Sequence, residues 1–191
     1  DLLELPLESR TVPAMLARTV ARVPDRVFIT CDDESLTFRE FDLRVNRFAH
    51  FLESLEIGRG KLAMLLPNCL EFVYGWFACA KLGVVHVPIN NEYRGDILRY
   101  QLSKAEVTHL MIDAPYLERL AEVIAELPLL RTVLVRGVPE GAQAVHRDAL
   151  GSRVRLVDAQ SFRAFAHDAP TAQVRFTDKH SISFTSGTTG P

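Results

Sequence analysis

Cysteine is scarce. Only Cys31, Cys69 and Cys79 occur in 191 residues. Their number is odd and no pair has metal-ligand spacing, so neither a disulfide framework nor a thiolate metal site is expected. They read as reduced thiols that act as small apolar residues in a cytosolic protein. The 6 histidines are scattered and make no HExxH-type cluster, which removes the commonest route to a histidine-held metal. Excess charge of either sign is missing too. The 22 basic and 24 acidic residues leave a net charge of -2. That excludes the one-sided basic field that nucleic acid or an anionic membrane would need. No apolar run approaches the roughly 20 residues that cross a bilayer. The most apolar stretch, Leu70 to Leu82, is shorter and holds Glu71 and Lys81. A signal peptide is not expected either, because Asp1 to Arg10 carries acids instead of a basic start and an apolar core. A cytoplasmic location follows as the expectation.

What is present is ordinary globular material. The apolar fraction is 48% and the charged fraction 24%, values that allow a packed core of normal size. The length suits one domain or a large part of a bigger one. The sequence opens on Asp1 and stops at Pro191 directly after a Gly-rich run. It is therefore expected to be a piece of a longer chain.

Periodicity organises most of it. Thr11 to Arg22 reads as a helix, with Thr11 as cap, Pro13 in the first turn and Pro24 beyond its end. Val27 to Cys31 and Ser35 to Thr37 read as a hairpin around Asp32, Asp33 and Glu34. Thr37 and Glu40 have capping-box spacing. Phe41, Val45, Phe48, Leu52 and Leu55 then recur on one helical face until Gly58 and Gly60. Strands at Leu62–Leu66, Val84–Val87, Val107–Ile112 and Thr132–Val135 alternate with helices. The first of these helices is expected after an Asn68 cap, runs to Leu82 before Gly83 and is apolar nearly all round. The second is Asp96–Lys104, and the third runs from Pro115 to Pro128. Short strand–helix–strand steps predict an α/β fold, a layered and mostly parallel sheet with helices on both faces. Gly137 to Arg153 reads as loop. Val154–Val157 reads as a strand, Ser161–Phe165 as a short helix and Ala166–Asp178 as a connector. His180, Ile182 and Phe184 alternate with Ser181 and Ser183, as in a half-buried strand.

That last strand runs into Thr185-Ser186-Gly187-Thr188-Thr189-Gly190-Pro191, which holds four hydroxyls and two glycines. Glycine lets the backbone turn tightly and approach a ligand. Successive N–H groups in such a turn make a concave anion site, and hydroxyls add donors. A polyphosphate fits that chemistry, although similar loops also serve as plain surface turns. A Walker loop is excluded, because Gly187 and Gly190 are too close together and no lysine follows. No G-x-G-x-x-G occurs.

Phe184 to Pro191 resembles the AMP-binding signature of the adenylate-forming superfamily, which includes acyl-CoA synthetases, luciferases and peptide-synthetase adenylation domains. Leu36-Thr37-Phe38-Arg39-Glu40-Phe41 is similar to that family's early L-T-Y-x-E-L segment. Ala80 to Asn90 is similar to its A-K-x-G-A-x-x-V-P-I-N segment. The three stretches stand in the family's order and span nearly the whole chain. The resemblance implies that residues 1–191 are the first part of the large N-terminal AMP-binding domain.

It further implies a two-step reaction. A carboxylate attacks ATP to give an acyl-adenylate and pyrophosphate, and a thiol of coenzyme A or of a carrier protein then takes the acyl group. Thr185, Ser186, Gly187, Thr188, Thr189 and Gly190 would hold the ATP phosphates, with Thr185 reaching Mg2+. ATP, Mg2+ and coenzyme A are the implied cofactors and co-substrates. The implied partners are a small carboxylic acid and a thiol acceptor, with no nucleic acid and no transmembrane segment. The run Asn68 to Phe72 with Trp76, Phe77 and Pro88-Ile89-Asn90 looks most like the branch acting on fatty, carnitine-type or other small acyl acids. The family's adenine, ribose, acyl-pocket and Mg2+-carboxylate residues and its C-terminal lysine would lie beyond position 191. The chain alone is therefore expected to hold no catalytic residue, to be inactive and to self-associate through uncovered surface. A carrier-loading adenylation domain and a non-catalytic module of the same fold stand as the alternatives. Trp76, Phe72 and Phe77 read as core, Asp32 to Glu34 as a solvated tip, and Arg39, Arg44 and Arg47 as the wet face of their helix. Lys81 and His86 are assigned no chemistry and read as part of a helix–strand packing junction.

Overall fold

The computed structural model describes residues 4–137, 150 and 152–185. Two compact units make up the chain. The first holds Asp1–Arg59, Asn68–Val84 and Ser161–His180; the second holds Gly60–Pro67, Val85–Gln160 and Ser181–Pro191.

In the first unit, helix α1 (Val12–Arg22) begins where Thr11 accepts a side-chain hydrogen bond from the Ala14 N–H at 3.3 Å. Strands β1 (Val27–Cys31) and β2 (Glu34–Thr37) pair antiparallel. Asp32 makes their turn at φ 52, a conformation that Asp tolerates better than most residues. Helix α2 (Phe38–Ser54) starts on the expected capping box. The Glu40 N–H donates to Thr37 Oγ1 at 3.2 Å, and the Thr37 N–H donates to Glu40 Oε2 at 2.9 Å. Thr37→Ala removes the cap oxygen and is expected to cost about 1 kcal/mol. Urea unfolding should show this as a lower midpoint at unchanged slope. An unmoved midpoint would mean that the box holds nothing.

The stripe Phe41, Val45, Phe48, Leu52, Leu55 is buried throughout. Phe41 meets Phe77 edge to face at 5.0 Å and Phe28 at 4.7 Å. At the end of α2 the left-handed residue is Glu56, at φ 58, and Gly58 makes a second such turn at φ 55. The expected glycine stop therefore sits just past the first reversal.

Helix α3 (Leu70–Leu82) has Cys69 as its cap and lacks a capping side chain, where Asn68 was expected. Cys69 and Leu70 take buried positions and leave Asn68 exposed. Small residues fill much of the helix's buried surface: Gly75, Ala78, Cys79 and Ala80 join Tyr74 there. The bulky Phe72, Trp76 and Phe77 are half-buried. Gly83 closes the helix at φ 68.

The second unit is a five-stranded parallel sheet in the order β4-β3-β5-β6-β7. Its strands are β3 (Lys61–Leu65), β4 (Val85–Pro88), β5 (His109–Asp113), β6 (Thr132–Arg136) and β7 (Arg155–Asp158). One sheet face, with Leu65, Val87, Ile112 and Val135, packs on Leu98 and Leu102 of α4 (Gly95–Lys104) and Leu120 of α5 (Leu117–Ala121). The helix expected from Pro115 to Pro128 is broken into a 3-10 turn at Ala114–Tyr116, α5, and a second 3-10 turn at Ile124–Glu126. Bonds of the i to i+3 type tighten this stretch, such as Glu126 N–H to the Val123 carbonyl at 3.0 Å. The tightening leaves Leu117, Leu120, Ile124 and Leu127 all buried. The short helix expected at Ser161–Phe165 is a 3-10 turn over Ala159–Ala164. Most of the loop expected at Gly137–Arg153 lies outside the described residues.

Candidate functional site

Thr185 is the last described residue of the loop sequence, and it is exposed. Ser186, Gly187, Thr188, Thr189 and Gly190 lie outside the described residues. What the structure describes is the stem that leads to them.

In the second unit the stem lies beside β4, the outer strand of the sheet. Ser181 bridges His86 in parallel, and the Ile182 N–H donates to the His86 carbonyl at 2.9 Å. The strand expected over 180–184 is reduced to this one bridge. Its alternation survives: Ile182 and Phe184 are half-buried, while Ser181, Ser183 and Thr185 are exposed. The Phe184 ring stands 6.4 Å from Tyr100 of α4. The Ser181 and Ser183 hydroxyls are 3.4 Å apart, on one face as the period of two predicts. Thr185 continues that exposed series.

In the first unit the connector is fastened by side chains to its own backbone carbonyls. Arg47 Nη1 donates to the Arg163 carbonyl at 3.0 Å and Asn46 Nδ2 to the His167 carbonyl at 2.9 Å. His50 Nε2 meets the Asp168 carbonyl at 3.0 Å. Arg59 donates from Nη2 to the Gln173 carbonyl at 2.7 Å and from Nη1 to Asp178 Oδ2 at 2.9 Å. Asp178 also accepts the Arg175 N–H at 2.9 Å. That backbone bond first, and the Arg59 bond second, hold the Asp178 carboxyl below its ordinary range. His180 ends the segment with its ring 5.3 Å from Trp76. Burial lowers its pKa, and its Nε2 has no hydrogen-bond partner among the described residues.

These fasteners were not legible in the sequence. The three arginines read as a wet face differ from one another. Arg39 reaches exposed Asp25 at 3.4 Å. Arg44 donates to Tyr74 Oη at 3.0 Å and pairs with Glu34 at 2.6 Å. Burial, against the pull of Arg44, pushes the Tyr74 hydroxyl up to about 12. Lys81, read as part of a helix–strand junction, instead joins two helices. Its Nζ donates to Asp42 Oδ1 and Asn46 Oδ1 of α2, each at 2.6 Å. Asp32 and Asp33 are exposed at the hairpin tip as expected. Among the described residues no group of three or more His, Cys, Asp or Glu is placed to hold a metal ion. Thr185 offers a single hydroxyl, and one hydroxyl is not a metal site by itself. No described helix is long and apolar enough to cross a membrane.

Against known proteins, the family described as AMP-binding enzyme matches residues 16–191. A medium/long-chain-fatty-acid–CoA/3-oxocholest-4-en-26-oate–CoA ligase of Mycobacterium marinum is 30% identical over 171 residues, covering 88% of this chain and 30% of its own length. The chain thus spans less than a third of that relative. Among solved structures, the N-terminal domain of FACL13 from Mycobacterium tuberculosis matches with a TM-score of 0.71 at 26% identity, covering 92% of this chain and 41% of that one. The anthranilate CoA ligase AuaEII, solved with anthranoyl-AMP, matches with a TM-score of 0.82 over 100% of this chain and 35% of its own. At 23% identity, that likeness shows the fold alone.

Proposed function

The chain belongs to the AMP-binding enzyme family, and from that premise we propose that it is the N-terminal part of an ATP-dependent acid–thiol ligase. The observation that carries the proposal is the stem. The stem bridged to β4 at Ser181 ends in exposed Thr185, and a Gly-, Ser- and Thr-rich loop follows at once in the sequence.

In the proposed reaction a carboxylate oxygen attacks the α-phosphorus of ATP. The bond to the β-phosphate bridge breaks, and pyrophosphate leaves with the electron pair. The thiol of coenzyme A then adds to the acyl carbon, and AMP departs. Thr185 to Gly190 would cradle the β- and γ-phosphates, with donors aimed at the charge that grows on the leaving group. Mg2+, when bound with ATP, would neutralise part of that charge, and Thr185 would contribute a hydroxyl to it. The names of the relatives support a fatty acid or a steroid side-chain acid as the carboxylate.

The test uses the complete protein that carries this chain, given MgATP, coenzyme A and a panel of medium-chain, long-chain and steroid-side-chain acids. Acid-dependent pyrophosphate release and thioester formation are expected for one of these classes. Residues 1–191 alone are expected to give neither, because the adenine site and the catalytic lysine are proposed to lie downstream. Exchange by the isolated chain above a no-protein blank would sink that division of labour. A complete protein that is silent with the whole panel would sink the function.

A further inference from the structure

We propose that the first unit carries a binding site for a small amphiphilic monocarboxylate, a compact apolar body bearing one carboxylate. The site is a cavity of about 140 Å³ between the start of α1, the end of α3 and the segment 174–180, and all of its lining residues belong to this unit. It arises because α3 ends in small residues. Cys79, Ala80 and Gly83 line it, and side chains this small leave volume that a longer one would occupy.

Two properties decide what the cavity accepts. The first is its apolar floor. Cys79, Ala80 and Val84 are buried there, and Val12 and Val174 are half-buried. The Cys79 thiol adds no charge, because burial raises its pKa far above neutrality. An apolar cavity of about 150 Å³ can hold benzene, so this volume suits a ring or a short chain of about six carbons. The second property is charge. Arg10, Arg175 and Lys179 line the cavity against a single acid, Asp178. That acid is already engaged by Arg59 Nη1 and by the Arg175 N–H, each at 2.9 Å. The Arg175 side chain is 78% exposed, and its Nε stands 3.8 Å from Asp178 Oδ1, beyond hydrogen-bond range. Lys179 is also exposed and has no carboxylate partner among the described residues. Arg10 is anchored through Nε, which donates to the Leu5 carbonyl at 2.9 Å. His180 lines the cavity too, but burial lowers its pKa, so its ring is neutral at pH 7. The positive excess therefore rests on Arg and Lys, which do not titrate near neutrality. Inorganic phosphate would answer that charge and gain nothing from the floor. An alcohol would gain the floor and leave the charge unanswered. A carboxylate on an apolar body gains both, and at the exposed rim it keeps part of its hydration.

The experiment follows hydrogen exchange of the complete protein by mass spectrometry, with benzoate, benzyl alcohol or inorganic phosphate as the probe. Benzoate should slow exchange in peptides covering residues 10–15 and 174–180, with a midpoint of roughly 0.1–3 mM. The two control compounds should protect neither region in that range. Added salt should weaken benzoate, because the charges at the rim are screened. Arg175→Gln with Lys179→Gln keeps the backbone N–H that Asp178 accepts and should raise the midpoint roughly 2- to 25-fold, at up to about fivefold for each exposed ion pair. Val12→Phe, which puts a ring into the cavity, should abolish the protection. Equal protection by phosphate or by benzyl alcohol would overturn the amphiphilic assignment. No protection by benzoate, or protection only outside these two regions, would overturn the site. An unchanged midpoint in the Arg175 and Lys179 double variant would overturn it as well. The readout is binding alone, so failure here leaves the proposed ligase function standing, and a complete protein without ligase activity leaves this site standing.

Discussion

Thr188→Val in the complete protein should slow acyl-adenylate formation roughly 10- to 150-fold. The substitution keeps the side chain's shape and removes its hydroxyl. A hydroxyl donating to a phosphate oxygen makes a charge-assisted bond of about 1.5–3 kcal/mol. At about 1.4 kcal/mol per tenfold in rate, that bond gives the stated range. The loss should be confined to the first half-reaction, because pyrophosphate has left before the thiol attacks. Supplying preformed acyl-adenylate should restore near-normal thioester formation. Melting should not change, since a hydroxyl reserved for ligand does nothing for the fold. Thr188 lies outside the described residues, so its role rests on the resemblance of the loop to the family signature. Parental adenylation rates, or a melting temperature lowered by several degrees, would make Thr188 a turn residue and remove the phosphate-binding assignment.

A large effect of the opposite kind is expected at Lys81. Its side chain is 9% exposed, and Asp42 is 19% exposed. Replacing Lys81 with Ala leaves the Asp42 carboxylate and the Asn46 carbonyl oxygen without the donor they share. Removing one member of a buried pair costs about 3–5 kcal/mol. Partial exposure of Asp42 puts the expectation at the low end, about 3 kcal/mol. For a chain of 191 residues that is a fall in melting temperature of roughly 6–12 °C. Lys81→Met combined with Asp42→Leu should recover much of the loss, because apolar replacement of both partners removes the stranded charge. Asn46 keeps its bond to the His167 carbonyl, at 2.9 Å. Were Lys81 a ligand-binding cation, activity would collapse while stability held, and that outcome would reverse the assignment.

Local order was largely legible in the residues. Thr37 and Glu40 declared the start of α2, and the apolar repeat from Phe41 to Leu55 declared its buried face. Gly83 marked the end of α3, and alternation from His180 to Phe184 marked the stem. Each of these signals is complete within a few residues, because a helical turn or a pleat satisfies its backbone groups among near neighbours. The loop after Phe184 reads as a phosphate site through its resemblance to the family signature, and beyond Thr185 it lies outside the described residues. Where local signals compete, the sequence was less decisive. Asn68 read as the cap of α3, and Cys69, buried with Leu70, takes that position instead. Pro115 to Pro128 has helical content, and tight turns displaced one continuous helix there.

The tertiary structure decided the rest. Nothing in the spacing of five apolar strands orders them β4-β3-β5-β6-β7. The order follows from which strand edges and helix faces find complementary partners when the chain folds back. The polar pairings are of the same kind. Lys81 and Asp42 are 39 positions apart, and Arg59 and Asp178 are 119 apart. Every arginine in the sequence has the same donors, and periodicity assigns them only to a face. The path of the backbone decides which guanidinium meets a carboxylate and which stays in water. Composition and local pattern therefore determined most of the elements. Only the folded chain, by bringing distant polar groups within 3 Å, determined what fastens the connector of the first unit.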